Sequence, residues 1–178
     1  LFSSPVGERS GSTYDDLFTY QGTLDPGEHP FGERYVRRMV TMQIDPGTLL
    51  RQLTADFQLA GGKFVIRNFA DIDGVLALGE PVIFNCTGLG AAKLFNDSNL
   101  VPAKGQLVFL PPDPAVDYMT FGGGFFGKDG FLHMFPRGDV VLLGGIFREG
   151  DYSLNVEADQ TERIVSEHKK LFDSMDLA

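Results

Sequence analysis

The most constraining feature of this sequence is the stretch Pro81-Val-Ile-Phe-Asn-Cys-Thr-Gly-Leu-Gly-Ala91. Its apolar half, Val82 to Asn85, predicts a buried strand, and Thr87, Gly88 and Gly90 predict a tight turn that leads into a helix. A strand that delivers small residues and backbone amides to its carboxyl end is a place where a nucleotide can bind. The chain shows no earlier strand, glycine loop and helix in series, so this would be a second contact to a nucleotide rather than the primary one.

Composition excludes several classes of function. The formal net charge of −9 argues against non-specific nucleic-acid binding and against an anionic membrane surface. No apolar run approaches the roughly 20 residues that cross a bilayer. Cys86 is the only cysteine, so an internal disulfide is excluded, and its apolar setting predicts a small buried residue rather than a nucleophile.

The first half of the chain predicts alternating strands and helices. Residues 1–34 are rich in Gly, Ser, Pro and Asp and predict a loop-rich segment. A strand is expected over 35–44, and Asp45-Pro46 is typical of a helix start. That helix carries an apolar stripe and ends at Gly61-Gly62. A short strand, 63–67, is expected before the strand at 82–85.

The second half predicts an antiparallel sheet and a closing helix. Strands are expected over 105–110, 118–121, 131–135 and 140–147, with a Gly-rich loop over 122–130 and a hairpin turn at Pro136-Arg-Gly-Asp139. An amphipathic helix is expected over 157–175. The fold class predicted is α+β, with a mixed, largely antiparallel sheet and flanking helices.

Other catalytic or binding motifs are weak. Gly122 to Lys128 matches most of a phosphate-binding loop, but Asp129 and a strand follow, so a hairpin loop is favoured. His29, His133 and His168 lack the spacing of metal ligands, and no metal site is expected. His133 lies on a strand between Leu132 and Met134, where it is either a half-buried structural histidine or a residue that lines a cavity. No pattern for a hydrolase nucleophile is present.

Three blocks in one order carry a family resemblance. They are the stretch 82–91, Leu100-Val-Pro-Ala-Lys-Gly-Gln-Leu107, and the segment from Phe135-Pro-Arg through Leu143-Gly-Gly-Ile-Phe-Arg-Glu-Gly-Asp-Tyr-Ser153. Together they resemble the D-amino-acid oxidase family of FAD-dependent oxidoreductases, over roughly residues 35 to 172. The resemblance implies oxidation of an amino acid or amine, in which the α-hydrogen passes as hydride to the flavin and the imine then hydrolyses.

The resemblance also implies site residues. Cys86, Thr87 and Gly88 would lie along the flavin, Gly90 would permit close backbone approach, and Phe69 would contact the adenine through its backbone. His133 stands where the family often has a Tyr that lines the amino-acid pocket, so it would bind substrate. Lys104 stands where the family usually has Arg. Independently of the resemblance, Arg137 and Arg148 have the bidentate geometry to bind a carboxylate, although a solvated surface role is favoured because both lie beside turn residues. No catalytic acid or base is assigned.

The resemblance further implies how the domains are organised and which parts of the family's chain are represented. Residues about 45–95 would form part of an FAD-binding domain, and residues about 100–155 a substrate-binding sheet, within one α+β unit over 35–178. The family's amino-terminal glycine-rich fingerprint and its carboxyl-terminal segment have no counterpart here. The chain is therefore expected to be a fragment that is inactive alone and binds FAD weakly or not at all.

The alternative is a cofactor-free binding or interaction module that retains only the substrate-domain fold. In either case exposed apolar surface would favour a homodimer. An intracellular location is expected, cytoplasmic or, in a eukaryote, peroxisomal.

Overall fold

The computed structural model describes residues 15–125 and 130–175. Within these residues, ten helices and strands follow a 3-10 turn at Asp15–Leu17. The strands are β1 (Phe18–Leu24), β2 (Val36–Thr41), β3 (Ala103–Leu110), β4 (Thr120–Phe125), β5 (Gly130–Pro136) and β6 (Val141–Glu149). The helices are α1 (Pro46–Leu59), α2 (Ile72–Leu76), α3 (Gly90–Leu94) and α4 (Ala158–Asp173). Helices together with antiparallel sheets confirm the predicted α+β class.

The chain divides into two compact units. The first contains residues 1–45, 104–148 and 153–178, and the second contains residues 46–103 and 149–152. Each unit is therefore assembled from segments that are separated in the sequence.

A four-stranded sheet, in the order β3-β6-β5-β4, forms the centre of the first unit. β5 pairs antiparallel with both β4 and β6. The predicted hairpin between β5 and β6 is present, and the Arg137 N–H donates to the Val140 carbonyl at 2.7 Å to close its turn. The most apolar strand of the sequence, β6, takes an inner position because Val141 to Ile146 can be buried on both faces.

Helix α4 covers one face of this sheet. Ile164, His168 and Leu171 recur at helical spacing and are the buried residues of α4. Ile164 and Leu171 belong to one core cluster with Leu132, Met134 and Leu143 of β5 and β6. The alternation of β5 therefore directs Leu132 and Met134 towards the helix and leaves Phe131, His133 and Phe135 for the opposite face.

Strands β1 and β2 form an antiparallel pair that also belongs to the first unit. Val36 of β2 is buried in the core cluster, with Leu24 and Phe31 packed against it. β1 lies within the segment 1–34, which was predicted to be rich in loops. The strand was missed because its apolar residues alternate too weakly to identify a strand without its partner. Residues 1–14 of that segment lie outside the described residues.

In the second unit, α1 begins at the expected Pro46 and ends as expected at two glycines. Gly61 has φ +88°, and the Gly62 N–H donates to the Phe57 carbonyl at 2.9 Å, which is the usual left-handed end of a helix. No residue of α1 is buried, so its apolar stripe stays exposed.

Candidate functional site

The turn over residues 85–90 is held by side-chain hydrogen bonds. The Asn85 side-chain oxygen accepts from the Thr87 backbone N–H at 3.2 Å and from the Thr87 hydroxyl at 2.7 Å. Gly88 follows at φ +56°, a conformation that side chains disfavour. The Gly90 N–H donates to the Thr87 carbonyl at 3.0 Å, which starts α3. The predicted turn and short helix are therefore present.

The strand predicted before this turn is absent, and this prediction was wrong. Residues 82–87 form no strand, and Val82 and Phe84 are 68% and 86% exposed. A strand forms when a neighbouring backbone takes up its N–H and C=O groups, and no described segment pairs with this one. The strand predicted over 63–67 is also absent, and Ile66 is fully exposed, for the same reason.

Cys86 is exposed rather than buried, so its predicted burial was also wrong. The prediction depended on the missing strand, because an unpaired segment has no layer of side chains above it to cover the thiol. Thr87, Gly88 and Gly90 are likewise exposed. The four residues thus lie on one exposed segment that leads into α3, and a ligand can approach its backbone.

Phe69 lies ahead of α2 in the same unit. The Arg67 guanidinium stands 5.8 Å from the centre of its ring. Asp71 caps α2 by accepting from the Gly74 N–H at 2.9 Å, which fixes the chain two residues beyond Phe69. These two local contacts fix the loop around Phe69. The contact of the Phe69 backbone with an adenine stays a prediction.

His133 lies in an aromatic face of the first unit, formed by Phe121, Phe131, His133 and Phe135. Phe121 and His133 are cross-strand partners, and their rings are 6.2 Å apart. The His133 ring is 4.9 Å from that of Phe131 and 5.2 Å from that of Phe135. Phe121 and Phe131 are 47% and 43% exposed, so this face offers apolar area with one polar group inside it.

Glycine in the neighbouring strand makes room for the His133 ring. His133 is the partner of Gly144 on β6. A Cβ atom at Gly144 would overlap Cε1 and Nε2 of His133 and lie 2.6 Å from Cδ2. The imidazole thus lies across the glycine backbone, where any side chain would displace it.

Burial lowers the pKa of His133 below 6.5, a backbone contact with Phe131 opposes the shift, and His168 adds to it. This shift favours the neutral form of the ring. Its Nδ1 lies 3.3 Å from the Phe131 carbonyl oxygen, which can only accept a hydrogen bond. With the proton on Nδ1, Nε2 presents a lone pair that can accept a hydrogen bond from an amino group.

A polar cluster that the sequence did not reveal stands at the start of α4. Glu157 accepts from Lys104 at 2.7 Å, and one Arg148 nitrogen donates to both of its carboxylate oxygens at 2.9 and 2.8 Å. Gln106 donates to the Glu157 carbonyl at 2.9 Å and accepts from its N–H at 3.0 Å. The hydrogen bond from Lys104, followed by Arg148, holds the pKa of Glu157 below its ordinary value.

This cluster changes the interpretation of two basic residues. The Arg148 guanidinium is paired with Glu157 rather than simply solvated. Lys104, whose side chain is only 10% exposed, also donates to Ser153 at 2.8 Å. Both residues thus fix the segment before α4. Nothing in their spacing could have shown this, because up to 53 residues separate the partners.

The candidate residues divide between the two units. Phe69, Cys86, Thr87, Gly88 and Gly90 belong to the second unit, and His133 belongs to the first. Within residues 15–125 and 130–175, no group of three or more His, Cys, Asp or Glu side chains is placed to hold a metal ion. In the same residues, no helix has the length and apolar character to cross a membrane.

Comparison with known proteins gives one consistent result. The model of the FAD dependent oxidoreductase family matches residues 23–178. The chain is 30% identical to the D-amino-acid oxidase of Dictyostelium discoideum over 122 residues, which are 68% of this chain and 33% of the relative. It is 26% identical to human D-aspartate oxidase over 139 residues, or 78% of this chain and 38% of the relative.

A third relative, the D-amino-acid oxidase of Streptomyces coelicolor, is 30% identical over 68% of this chain and 37% of its own length. The chain thus spans about a third of the length of the curated relatives it matches.

Proposed function

Because the chain belongs to the family of FAD-dependent oxidoreductases that includes D-amino-acid oxidase, we propose that its protein oxidises an amino acid or amine with FAD as cofactor. The observation that carries this proposal is the family match over residues 23–178, supported by relatives named for the oxidation of D-amino acids and D-aspartate. This chain would supply part of the flavin contact and a substrate-binding sheet.

The turn at 85–90 fits a contact to a flavin. Gly88 and Gly90 carry no side chains that would hold a planar ring away, and a Cβ at Gly88 would have no atom within 4 Å. Thr87, fixed by Asn85, would offer its backbone and hydroxyl edge to the cofactor. The chemistry that bound FAD supplies is acceptance of a hydride from the α-carbon of the substrate. Because these residues are exposed, the chain alone would hold FAD weakly.

His133 and its aromatic neighbours would bind the substrate. Phe121, Phe131 and Phe135 provide apolar area around an imidazole whose lowered pKa favours the neutral form. The Nε2 lone pair would accept a hydrogen bond from the substrate amino group, while Nδ1–H remains on the Phe131 carbonyl. The role of His133 is then to orient the amine.

The test maps binding on the isotope-labelled chain by NMR. Added FAD should shift the backbone amide signals of Cys86, Thr87, Gly88 and Gly90, even at millimolar affinity. Gly88→Ala should reduce these shifts, because a side chain at φ +56° costs about 1–2 kcal/mol and distorts the turn. Gly138→Ala is the matched control, since a Cβ there meets no atom within 4 Å.

FAD shifts that leave 86–90 untouched, or that are equal in Gly88→Ala and wild type, would contradict the proposed flavin contact.

The alternative is a cofactor-free interaction module, and one observation favours it. The second unit exposes apolar side chains such as Leu59, Ile66, Val82 and Phe84, each more than 60% exposed. A module that buries this surface against a second copy would sediment as a dimer and show no FAD-dependent shifts. A monomer that responds to FAD at 86–90 would exclude this alternative.

A further inference from the structure

His168 occupies a position where the helical pattern calls for an apolar residue. It lies on α4 between Ile164 and Leu171 and is 2% exposed. Both of its ring nitrogens stand beside carbonyl oxygens: Nδ1 is 2.8 Å from that of Ile164, and Nε2 is 3.2 Å from that of His133. The second contact joins the helix to the strand at the residue that carries the candidate substrate-binding side chain.

The chemistry of the two contacts restricts the hydrogen positions. A carbonyl oxygen only accepts, so each contact is attractive only if the ring nitrogen carries a proton. The Ile164 carbonyl is one helical turn before His168 and is already the regular partner of the His168 backbone N–H. The Nδ1 contact is the shorter of the two, but its acceptor already has a backbone partner within the helix. The His133 carbonyl belongs to a different element, so a proton on Nε2 adds a bond between α4 and β5 that the helix itself cannot supply.

The His133 carbonyl and the His133 side chain share one Cα atom. The carbonyl faces His168, while the imidazole lies with Phe121, Phe131 and Phe135 on the opposite face of the sheet. Displacement of the strand backbone at His133 would therefore move the Cα atom from which the imidazole projects.

We propose that His168 is a positioning residue for His133: its Nε2–H holds the His133 carbonyl and so fixes the imidazole on the face where an amino acid or amine would bind. The final clause rests on the proposed function, whereas the link between the two histidines does not. An apolar residue at position 168 would fill the core equally well, so what the histidine adds is this directed bond.

The experiment compares two substitutions with a control in the isotope-labelled chain. His168→Leu fills a similar volume without an N–H, and His168→Gln restores a donor at a similar reach. Leu171→Ala, in the same core cluster, is the control for lost packing alone. The readouts are the protonation of His168 Nε2 in the nitrogen-15 spectrum at pH 7, the ring signals of His133, and the dissociation constant of D-alanine.

We expect Nε2 of His168 to carry a proton. The His133 ring signals should move in His168→Leu, return towards wild type in His168→Gln and stay in place in Leu171→Ala. Affinity for D-alanine should fall about fivefold in His168→Leu, the equivalent of one hydrogen bond, and recover in His168→Gln.

An unprotonated Nε2, or His133 signals that are unchanged in His168→Leu or equally changed in Leu171→Ala, would overturn the proposal. If D-alanine shifts no signal in the wild-type chain, the proposed substrate role of His133 fails. The link between His168 and His133 is still decided by the ring signals, which need no ligand.

Discussion

Substitution of Gly144 by Ala tests the geometry of the aromatic face directly. The added methyl group would overlap two atoms of the His133 ring and lie 2.6 Å from a third. Carbon atoms in contact are normally about 3.5–4.0 Å apart, so the ring or the strand must move by more than about 1 Å. Overpacking of this kind costs about 1–3 kcal/mol. Because the His133 ring is half-buried and can partly swing outwards, we expect about 1–2 kcal/mol.

Chemical denaturation of four variants measures this cost. Gly144→Ala should lower the free energy of unfolding by that amount in the wild-type background, but by less than about 0.5 kcal/mol in a His133→Ala background, where no ring is present to displace. Gly138→Ala, in the open hairpin turn, should change stability by less than about 0.5 kcal/mol. Equal costs of Gly144→Ala in both backgrounds would refute the placement of the imidazole over the glycine.

Three further predictions concern the same units. Thr120→Val should leave the free energy of unfolding unchanged or raise it, because the buried Thr120 hydroxyl has no partner among the described residues. Thr161→Val should lower it by about 1 kcal/mol, because the hydrogen bond from Gln106 is lost. The stability advantage of wild type over Glu157→Gln should be present above pH 4.5 and disappear as the pH falls through the lowered pKa of Glu157, which denaturation across pH would show. Cys86 should react fully with a thiol reagent in the native chain, and protection until unfolding would contradict its exposure.

The elements that could be predicted from sequence are those whose neighbours are close in the chain. The hairpin of β5 and β6 follows from alternation on both sides of the turn at 136–139, and α4 follows from apolar residues at helical spacing. The turn at 85–90 could also be predicted, because Asn85 and Thr87 can bond locally before any tertiary contact forms.

The errors come from apolar runs whose partners are distant or not among the described residues. Residues 64–66 and 82–85 have strand composition, yet composition alone cannot supply the neighbouring backbone that a strand requires. The predicted helix α1 and its apolar stripe are present, yet none of the described residues of α1 is buried. Sequence periodicity shows which residues could be buried, and only the fold shows whether another element covers them.

The candidate site shows the same limit. His133 could be selected from its place in the family pattern. Gly144, which lies against its ring, and His168, which contacts its carbonyl, could be recognised only from the fold, because they lie on β6 and α4. Phe121 lies twelve residues before His133 and joins the face through cross-strand pairing. The sequence shows Gly144 only as part of the pair Gly144-Gly145. Nothing in that pair indicates that the glycine makes room for the His133 ring.

The measurement that tests the central claim most directly is anaerobic reduction, by amino acids, of the FAD-loaded protein to which this chain belongs. The account predicts that at least one amino acid or amine in a panel of D- and L-forms bleaches the visible flavin absorbance. His133→Ala should raise the substrate concentration needed for half-maximal bleaching. Protein that retains FAD and is bleached by dithionite but by no member of the panel would contradict the account.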